Sequence, residues 1–123
     1  MTPMIAPALD ILVCDDDWLI RTNIVDMLRE AGYRPSGAAT GREALDLLDT
    51  QSVDVLIADI GLPDMSGVDL AIVARSRWPG LGVIFASGYS EADAPSNVPG
   101  ALRIAKPFQI SEIEKALEQL LAR

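Results

Sequence analysis

Short apolar runs rich in β-branched residues alternate along this chain with longer stretches in which apolar residues recur at the period of an α-helix. This alternation indicates βα units, because neighbouring parallel strands need a crossover connection and that connection is usually a helix. Five such units follow one another, with predicted strands at residues 9–14, 33–39, 53–58, 82–86 and 102–105. The pattern predicts an α/β protein in which helices cover both faces of a parallel sheet.

Two of the predicted strands differ in composition, and the difference indicates where they lie in the sheet. Residues 53–58 form a nearly continuous apolar run, which is typical of a central strand that is buried on both faces. Residues 33–39 contain Pro35 and Gly37, and proline cannot donate a hydrogen bond to a central ladder. We therefore expect residues 53–58 at the centre of the sheet and residues 33–39 at an edge.

The predicted helices are recognised by their apolar faces and by the residues at their ends. The residues predicted to turn inward are Ile20, Ile24, Met27, Leu28 and Ala31 in the first helix, Ala44, Leu47 and Leu48 in the second, Leu70, Val73 and Ala74 in the third, and Ile113, Leu117, Leu120 and Leu121 in the last. Capping boxes predict two helix starts, at Thr40 with Glu43 and at Ser111 with Glu114. Gly32 predicts the end of the first helix, and Pro79-Gly80 the end of the third.

Charge and composition exclude several classes of function. The 123 residues suit one domain, and 18 acidic against 10 basic side chains give a formal net charge of −8. This charge repels a phosphate backbone, so we expect no direct nucleic-acid binding. No apolar run approaches the roughly 18 to 20 residues that span a bilayer, so we expect no membrane insertion. The sequence has no histidine, which excludes Ser-His-Asp triads, histidine zinc sites and a phosphohistidine donor.

Cys14 is the one cysteine of the sequence, which excludes an internal disulfide and a cysteine metal cluster. A lone thiol fits a cytoplasmic location. Because Cys14 ends an apolar run, we expect a small core residue rather than a nucleophile.

Polar side chains follow the predicted strands at the points where these strands end. Asp15-Asp16-Asp17 follow the first strand, Asp59 the third, Ser87 the fourth and Lys106-Pro107 the fifth. In open parallel sheets, ligands bind beyond the carboxyl ends of the strands. Carboxylates gathered there repel one another by roughly 4 kcal/mol per close pair at an effective dielectric constant near 20, so they require a cation. Oxygen ligands favour Mg²⁺, with Mn²⁺ as the alternative.

A carboxylate beside a divalent ion, a hydroxyl and a lysine has the groups needed to accept a phosphoryl group. The carboxylate is the nucleophile, and the cations and the hydroxyl neutralise charge on the transferring oxygens. With these residues in view, the sequence resembles the receiver domain of two-component response regulators. The motifs that carry the resemblance are ILVCDDDWLIR at 11–21, VDVLIADIGLPDMSG at 53–67, FASGY at 85–89 and IAKPF at 104–108.

The resemblance covers nearly the whole chain and implies a flavodoxin-like (βα)5 fold with the strand order 2-1-3-4-5. Residues 1–8 contain Pro3 and Pro7 and no basic region, which indicates an N-terminal tail. The resemblance then implies a receiver domain at 9–123 and suggests a single-domain response regulator. The implied donor is a histidine kinase or a histidine phosphotransfer protein. Phosphorylation is then expected to switch binding to a downstream protein target.

The resemblance also implies site roles for individual residues. Asp59 is the implied phosphoacceptor, and the Mg²⁺ ligands would be Asp15, Asp16, Asp59 and the backbone carbonyl of Gly61. Asp17 stands where the family has an acidic residue that binds no metal.

The same resemblance assigns two further groups to the phosphoryl site. Ser87 would donate its hydroxyl to a phosphoryl oxygen. Lys106 would pair with Asp59 at rest and with the phosphoryl group afterwards, aimed by a cis bond to Pro107.

One departure from the family concerns its aromatic switch residue, whose position is occupied here by Arg103. We expect Arg103 to point to solvent or to pair with a nearby carboxylate such as Glu91 or Asp93. The signal would then pass through residues 87–102. There Pro95 interrupts a fourth helix confined to about 91–98, which we expect to be short or mobile.

The sequence allows an alternative interpretation of the function and of three apolar residues. The start ILVCDDD also fits an aspartyl-nucleophile phosphatase of the haloacid-dehalogenase type, with Asp15 as its nucleophile. Trp18, Leu19 and Phe108 flank the predicted site and suit either the core or a surface that docks a partner. Trp78 is expected to pack against the core.

Overall fold

The computed structural model of the chain describes residues 9–87 and 97–121, and in these residues five strands and four helices follow one another. In chain order they are β1 (Asp10–Cys14), α1 (Trp18–Glu30), β2 (Arg34–Ala38), α2 (Gly41–Thr50), β3 (Val55–Asp59), α3 (Gly67–Arg77), β4 (Gly82–Ser87), β5 (Leu102–Ala105) and α4 (Ile110–Leu121). The fourth helix predicted at 91–98 falls almost wholly outside the described residues. Residues 87–102, through which we expect the signal to pass, also lie largely outside the described residues.

All neighbouring strands pair in parallel, and the sheet order is β2-β1-β3-β4-β5. This confirms the predicted flavodoxin-like order. β3 lies at the centre, where Val55, Leu56, Ile57 and Ala58 are at most 1% exposed. β2, which contains Pro35 and Gly37, lies at an edge. The strand order reverses between β1 and β3, so the crevice for a ligand opens beyond their carboxyl ends.

Alternation along each strand sends side chains to both faces of the sheet, and each face has a core of buried residues. One core lies under α1 and α4 and contains Ile11, Val13, Ile57, Ile84, Ile24, Leu28, Ile113 and Leu117. The other lies under α2 and α3 and contains Leu12, Cys14, Leu56, Ala58, Ala44, Leu48, Leu70 and Ala74. A smaller buried cluster beside α3 and β4 contains Ala71, Val83, Phe85 and Val98. Because the central strands are packed on both faces of the sheet, the positions of their carboxyl ends are fixed.

Several predicted helix faces and ends are confirmed. The Thr40 hydroxyl accepts a hydrogen bond from the backbone N–H of Glu43 at 3.0 Å. Gly32 follows α1 with a φ of +100°, a conformation that favours glycine. Trp78 packs against the core under α2 and α3.

The capping box predicted at Ser111 and Glu114 is wrong. α4 begins earlier, at Ile110, and the Glu112 carboxylate accepts a hydrogen bond from the backbone N–H of Gln109 at 2.9 Å. Gln109 and Glu112 have the same spacing as Ser111 and Glu114 but lie two residues earlier in the chain. Ser111 consequently lies inside the first turn of α4.

Three residues predicted to turn inward do not. Ala31 is exposed because it caps α1, and Leu121 is 54% exposed at the last turn of α4. Val73 is only half-buried, because α3 contacts the sheet through Gly67, Leu70, Ala71 and Ala74.

Candidate functional site

The three successive aspartates after β1 have three different environments. Asp15 is buried, and its Oδ1 accepts a hydrogen bond from the backbone N–H of Asp17 at 2.9 Å. Asp16 is exposed. Asp17 is the N-cap of α1, and its Oδ1 accepts hydrogen bonds from Leu19 N at 2.9 Å and Ile20 N at 3.0 Å. Because Asp17 satisfies the helix terminus, Asp15 and Asp16 are the pair that remains for ligand binding.

Lys106 connects the loop after β1 to the end of β3. Its Nζ donates to Asp15 Oδ2 at 3.1 Å and to Asp59 Oδ1 at 3.2 Å. The Lys106 side chain is 19% exposed, and the peptide bond to Pro107 is cis, as predicted. One ammonium group thus neutralises part of the charge of two aspartates that come from different strands.

Asp59 and Lys106 differ in how burial affects them. Burial raises the pKa of Asp59, and the charges of Asp15 and Asp16 raise it further, while Lys106 opposes the shift. Burial lowers the pKa of Lys106, but hydrogen bonds and charge from Asp15 and Asp59 outweigh it and the net pKa is raised. Lys106 therefore stays charged at neutral pH, beside a carboxylate whose negative charge is only partly compensated.

Carboxylate oxygens of Asp15, Asp16 and Asp59 lie within 4.8 Å of one another. Such a spacing allows one ion to contact all three side chains. Carboxylate oxygens are hard ligands, which suit Mg²⁺ and Mn²⁺ among the divalent ions of proteins. The sequence-predicted acidic set is therefore brought together by the fold.

The loop between β3 and α3 is held by backbone contacts. The Gly67 N–H donates to Ile60 O at 2.7 Å, and a β-bridge joins Gly61 to Ser66. A Cβ atom at Gly67 would lie 2.1 Å from the backbone oxygen of Asp59, so only glycine fits there. Gly61 is exposed in this loop, directly after β3.

Asp64 fastens the same loop to α2. Its two carboxylate oxygens accept hydrogen bonds from Gly41 N and Arg42 N, each at 2.9 Å. These hydrogen bonds hold the pKa of Asp64 below its usual range. Sequence reasoning missed this residue, although a carboxylate in the loop after the central strand is a reasonable candidate for capping a neighbouring helix.

Ser87 ends β4, one residue beyond Ala86, which is the register partner of Asp59. The residue is 2% exposed, and its Oγ accepts a hydrogen bond from Arg103 Nε at 3.0 Å. The expectation that Arg103 points to solvent is therefore wrong: the diagonal cross-strand position places its guanidinium group on the Ser87 hydroxyl. The alternative partners Glu91 and Asp93 lie outside the described residues.

The remaining candidates separate into core and surface. Cys14 is buried, and burial, with smaller effects of Asp64 and Asp15, raises the pKa of its thiol to about 12, which confirms a structural role. Phe108 packs against the core under α1 and α4. Trp18 and Leu19 are 67% and 58% exposed, so the core interpretation is wrong for both.

The family model for the response regulator receiver domain matches residues 11–118. The chain belongs to the response regulator receiver family. It is a receiver domain of the kind found in two-component systems, which confirms the resemblance seen in the sequence. The haloacid-dehalogenase alternative is not supported, because the match takes in nearly the whole sheet and the carboxyl ends of all five strands.

Individual relatives agree with this assignment. The receiver domain is 32% identical over 114 residues to sporulation initiation phosphotransferase F of Bacillus subtilis, covering 90% of this chain and 92% of that protein. It is 33% identical over 116 residues to the transcriptional regulatory protein PdtaR of Mycobacterium tuberculosis, covering 92% of this chain. The crystal structure of Thermotoga maritima TrrA in complex with Mg²⁺-BeF has a TM-score of 0.81 and 30% identity, covering 92% of this chain and 99% of that one.

The relatives differ in length from the receiver domain. It spans 57% of the length of PdtaR and 12% of the length of the Brucella abortus sensor kinase CckA. Among the described residues, no helix is both long enough and apolar enough to cross a membrane.

Proposed function

We propose that this receiver domain accepts a phosphoryl group on Asp59 from a histidine kinase or a histidine phosphotransfer protein. The observation that carries the proposal is the bridge from Lys106 to Asp15 and Asp59, at 3.1 and 3.2 Å. It supports Asp59 as the acceptor because the ammonium group stands beside the carboxylate that would gain negative charge. Asp59 also ends the central strand, in the crevice where the strand order reverses.

In the proposed step, a carboxylate oxygen of Asp59 attacks the phosphorus atom of the donor. A P–O bond forms, and the bond from phosphorus to the donor nitrogen or oxygen breaks with its electron pair leaving on the donor. Lys106 moves with the charge from the carboxylate to the phosphoryl oxygens, and the Ser87 hydroxyl donates to one of them. The product is a mixed acyl phosphate on Asp59.

Asp15, Asp16, Asp59 and the carbonyl of Gly61 form the proposed site for Mg²⁺, with Mn²⁺ as an alternative. The donor set fits, since three carboxylates with oxygens within 4.8 Å of one another offer hard oxygen ligands, and Mg²⁺ is usually bound through one or two carboxylates and completes its coordination with water. A bound divalent ion would neutralise charge on the phosphoryl oxygens.

The proposal includes the setting of the domain. The receiver domain occupies residues 9–123 after a tail at 1–8, and it works by stoichiometric modification rather than by turnover. Phosphorylation switches binding to a downstream protein. The exposed side chains of Trp18 and Leu19, next to the acidic cluster, supply apolar area for a partner protein. The lone thiol of Cys14 supports a cytoplasmic location.

Mass measurement after incubation with acetyl phosphate and Mg²⁺ tests the acceptor. We expect one phosphoryl adduct on the wild type, none on Asp59→Asn, and an unchanged yield on the control Asp54→Asn, which alters the carboxylate just before the same strand. An adduct of equal yield on Asp59→Asn would exclude Asp59 as the acceptor. Sustained hydrolysis of a phosphomonoester would instead support the phosphatase reading.

A further inference from the structure

The Ser87 hydroxyl is buried at the edge of the site, and a side chain from the neighbouring strand contacts it. Arg103 Nε donates to Ser87 Oγ at 3.0 Å. Arg103 is the register partner of Phe85, and Ser87 that of Ala105, so the two side chains are diagonal neighbours on one face of the sheet. The fold thus brings a guanidinium group against the hydroxyl that the proposed function assigns to the phosphoryl group.

A serine hydroxyl has one donor hydrogen and two acceptor lone pairs. The Arg103 N–H occupies one lone pair, so the O–H of Ser87 must point elsewhere and is available to donate. An oxygen that accepts from a cation also becomes a stronger donor, because hydrogen bonds in a chain polarise one another. The order guanidinium, hydroxyl, phosphoryl oxygen is therefore one in which each contact strengthens the next.

We propose that Arg103 is a positioning residue for phosphoryl transfer, which orients and polarises the Ser87 hydroxyl. This inference rests on the proposed function, since it assumes a phosphoryl group on Asp59. Arg103 acts through Ser87 and not through its own contact with the phosphoryl group. β5 carries Arg103 on this face and leads into Lys106, so two nearby cationic groups act on the same anion by different routes.

The buried position of Ser87 makes this arrangement efficient. At 2% exposure, the hydroxyl has little access to water, so its orientation depends on protein groups. Loss of Arg103 would leave the oxygen without that donor and the hydroxyl free to rotate. The expected cost is that of one charge-assisted hydrogen bond, which corresponds to about a tenfold slower transfer.

A double-mutant cycle tests the proposal, with rates of Asp59 phosphorylation by acetyl phosphate at saturating Mg²⁺. We expect Arg103→Gln to lower the phosphorylation rate about tenfold in the wild-type background. In the Ser87→Thr background it should lower the rate by a similar factor, because the hydroxyl is kept. In the Ser87→Ala background it should leave the rate unchanged. Arg29→Gln, which removes an equally charged but exposed side chain from α1, should react like the wild type. Arg103→Met is made in parallel in case the glutamine variant does not fold, and unfolding in urea checks that each variant is folded.

Equal slowing by Arg103→Gln in the Ser87→Ala and wild-type backgrounds would overturn the inference, since Arg103 would then act independently of the hydroxyl. Titration calorimetry distinguishes the proposed positioning effect from a general structural effect, because positioning of Ser87 leaves the Mg²⁺ affinity of Arg103→Gln unchanged. A loss of that affinity would also overturn the inference. Absence of any phosphoryl adduct on the wild type would overturn the proposed function and this inference with it, whereas labelling without coupling would overturn the inference alone.

Discussion

The carboxyl edge of the sheet has two sides that are built differently. On the side of the loop after β3, the polar contacts that hold the chain involve main-chain groups: Gly67 N–H donates to Ile60 O at 2.7 Å, a bridge joins Gly61 to Ser66, and the Asp64 carboxylate accepts from backbone N–H groups of α2. On the side of β4 and β5, the polar groups are joined by side chains, from Arg103 to Ser87 and from Lys106 to two aspartates.

This difference separates a fixed part of the site from a part that can respond to charge. Main-chain hydrogen bonds and a close glycine contact are not altered when an anion arrives. The side-chain hydrogen bonds would be altered, because a phosphoryl group on Asp59 would compete with the carboxylates for the Lys106 ammonium group and would accept from the Ser87 hydroxyl. The Asp59 carboxylate thus extends from the fixed side, and its phosphorylation would change the side-chain hydrogen bonds on the side of β4 and β5.

Gly67→Ala should have the largest effect of the changes that test this comparison. The new Cβ would lie 2.1 Å from Asp59 O, so backbone must move at the end of the central strand. We expect the free energy of unfolding to fall by about 3 kcal/mol, the upper part of the range for overpacked sites. Urea unfolding measures it.

Gly80→Ala is the matched control, since a Cβ at Gly80 meets no atom within 4 Å. Its free energy of unfolding should change by less than about 0.5 kcal/mol. A Gly67→Ala variant as stable as this control would show that the loop after β3 is not fixed.

Mg²⁺ should bind at the acidic cluster of Asp15, Asp16 and Asp59 and give the next largest effect. At a concentration about ten times its Kd, the ion should raise the free energy of unfolding by about 1.4 kcal/mol through binding to the folded state. Asp16→Ala should abolish the rise in melting temperature, because the exposed member of the acidic cluster is removed. Arg103→Gln should retain it. An equal rise in Asp16→Ala would place the metal site elsewhere.

Asp59→Asn should give the smallest effect, a change in the free energy of unfolding whose size depends on pH. Burial raises the pKa of Asp59, so its favourable contribution to folding is complete below the unfolded value near 3.8 and is lost as pH rises through the raised value. The variant should therefore be more stable than the wild type at pH 7, and the gain should shrink in acid.

Urea unfolding at pH 7 and in acid checks this result. The control is Asp46→Asn, which removes an exposed carboxylate from α2. A gain for Asp59→Asn that is equal at both pH values would contradict the assigned burial effect.

Much of the fold was predictable because it depends on short patterns that the sequence displays directly. The apolar run that becomes β3 and the proline in β2 determine a central and an edge position, and both are confirmed. The acidic cluster could also be predicted, since residues that follow parallel strands must meet at one edge. Asp15, Asp16 and Asp59 meet there in the structure.

The parts that were not predictable depend on register and on competition between equal signals. The contact of Arg103 with Ser87 requires the pairing of β4 with β5, which composition does not reveal. The start of α4 could not be chosen from spacing alone, because glutamate follows both Gln109 and Ser111 at the same interval. Asp64 was missed because its partners are backbone N–H groups of a helix far away in the chain.

The position of Trp18 has a spectroscopic consequence. Its indole ring is mostly in water, two residues from Asp16, whereas Trp78 packs against the core under α2 and α3 and lines a cavity with Asp54 at the other end of the central strand. The chain has two tryptophans, so Trp78→Phe leaves a single tryptophan, next to the acidic cluster. The emission of that variant then monitors its own site in unlabelled protein, on the timescale of mixing.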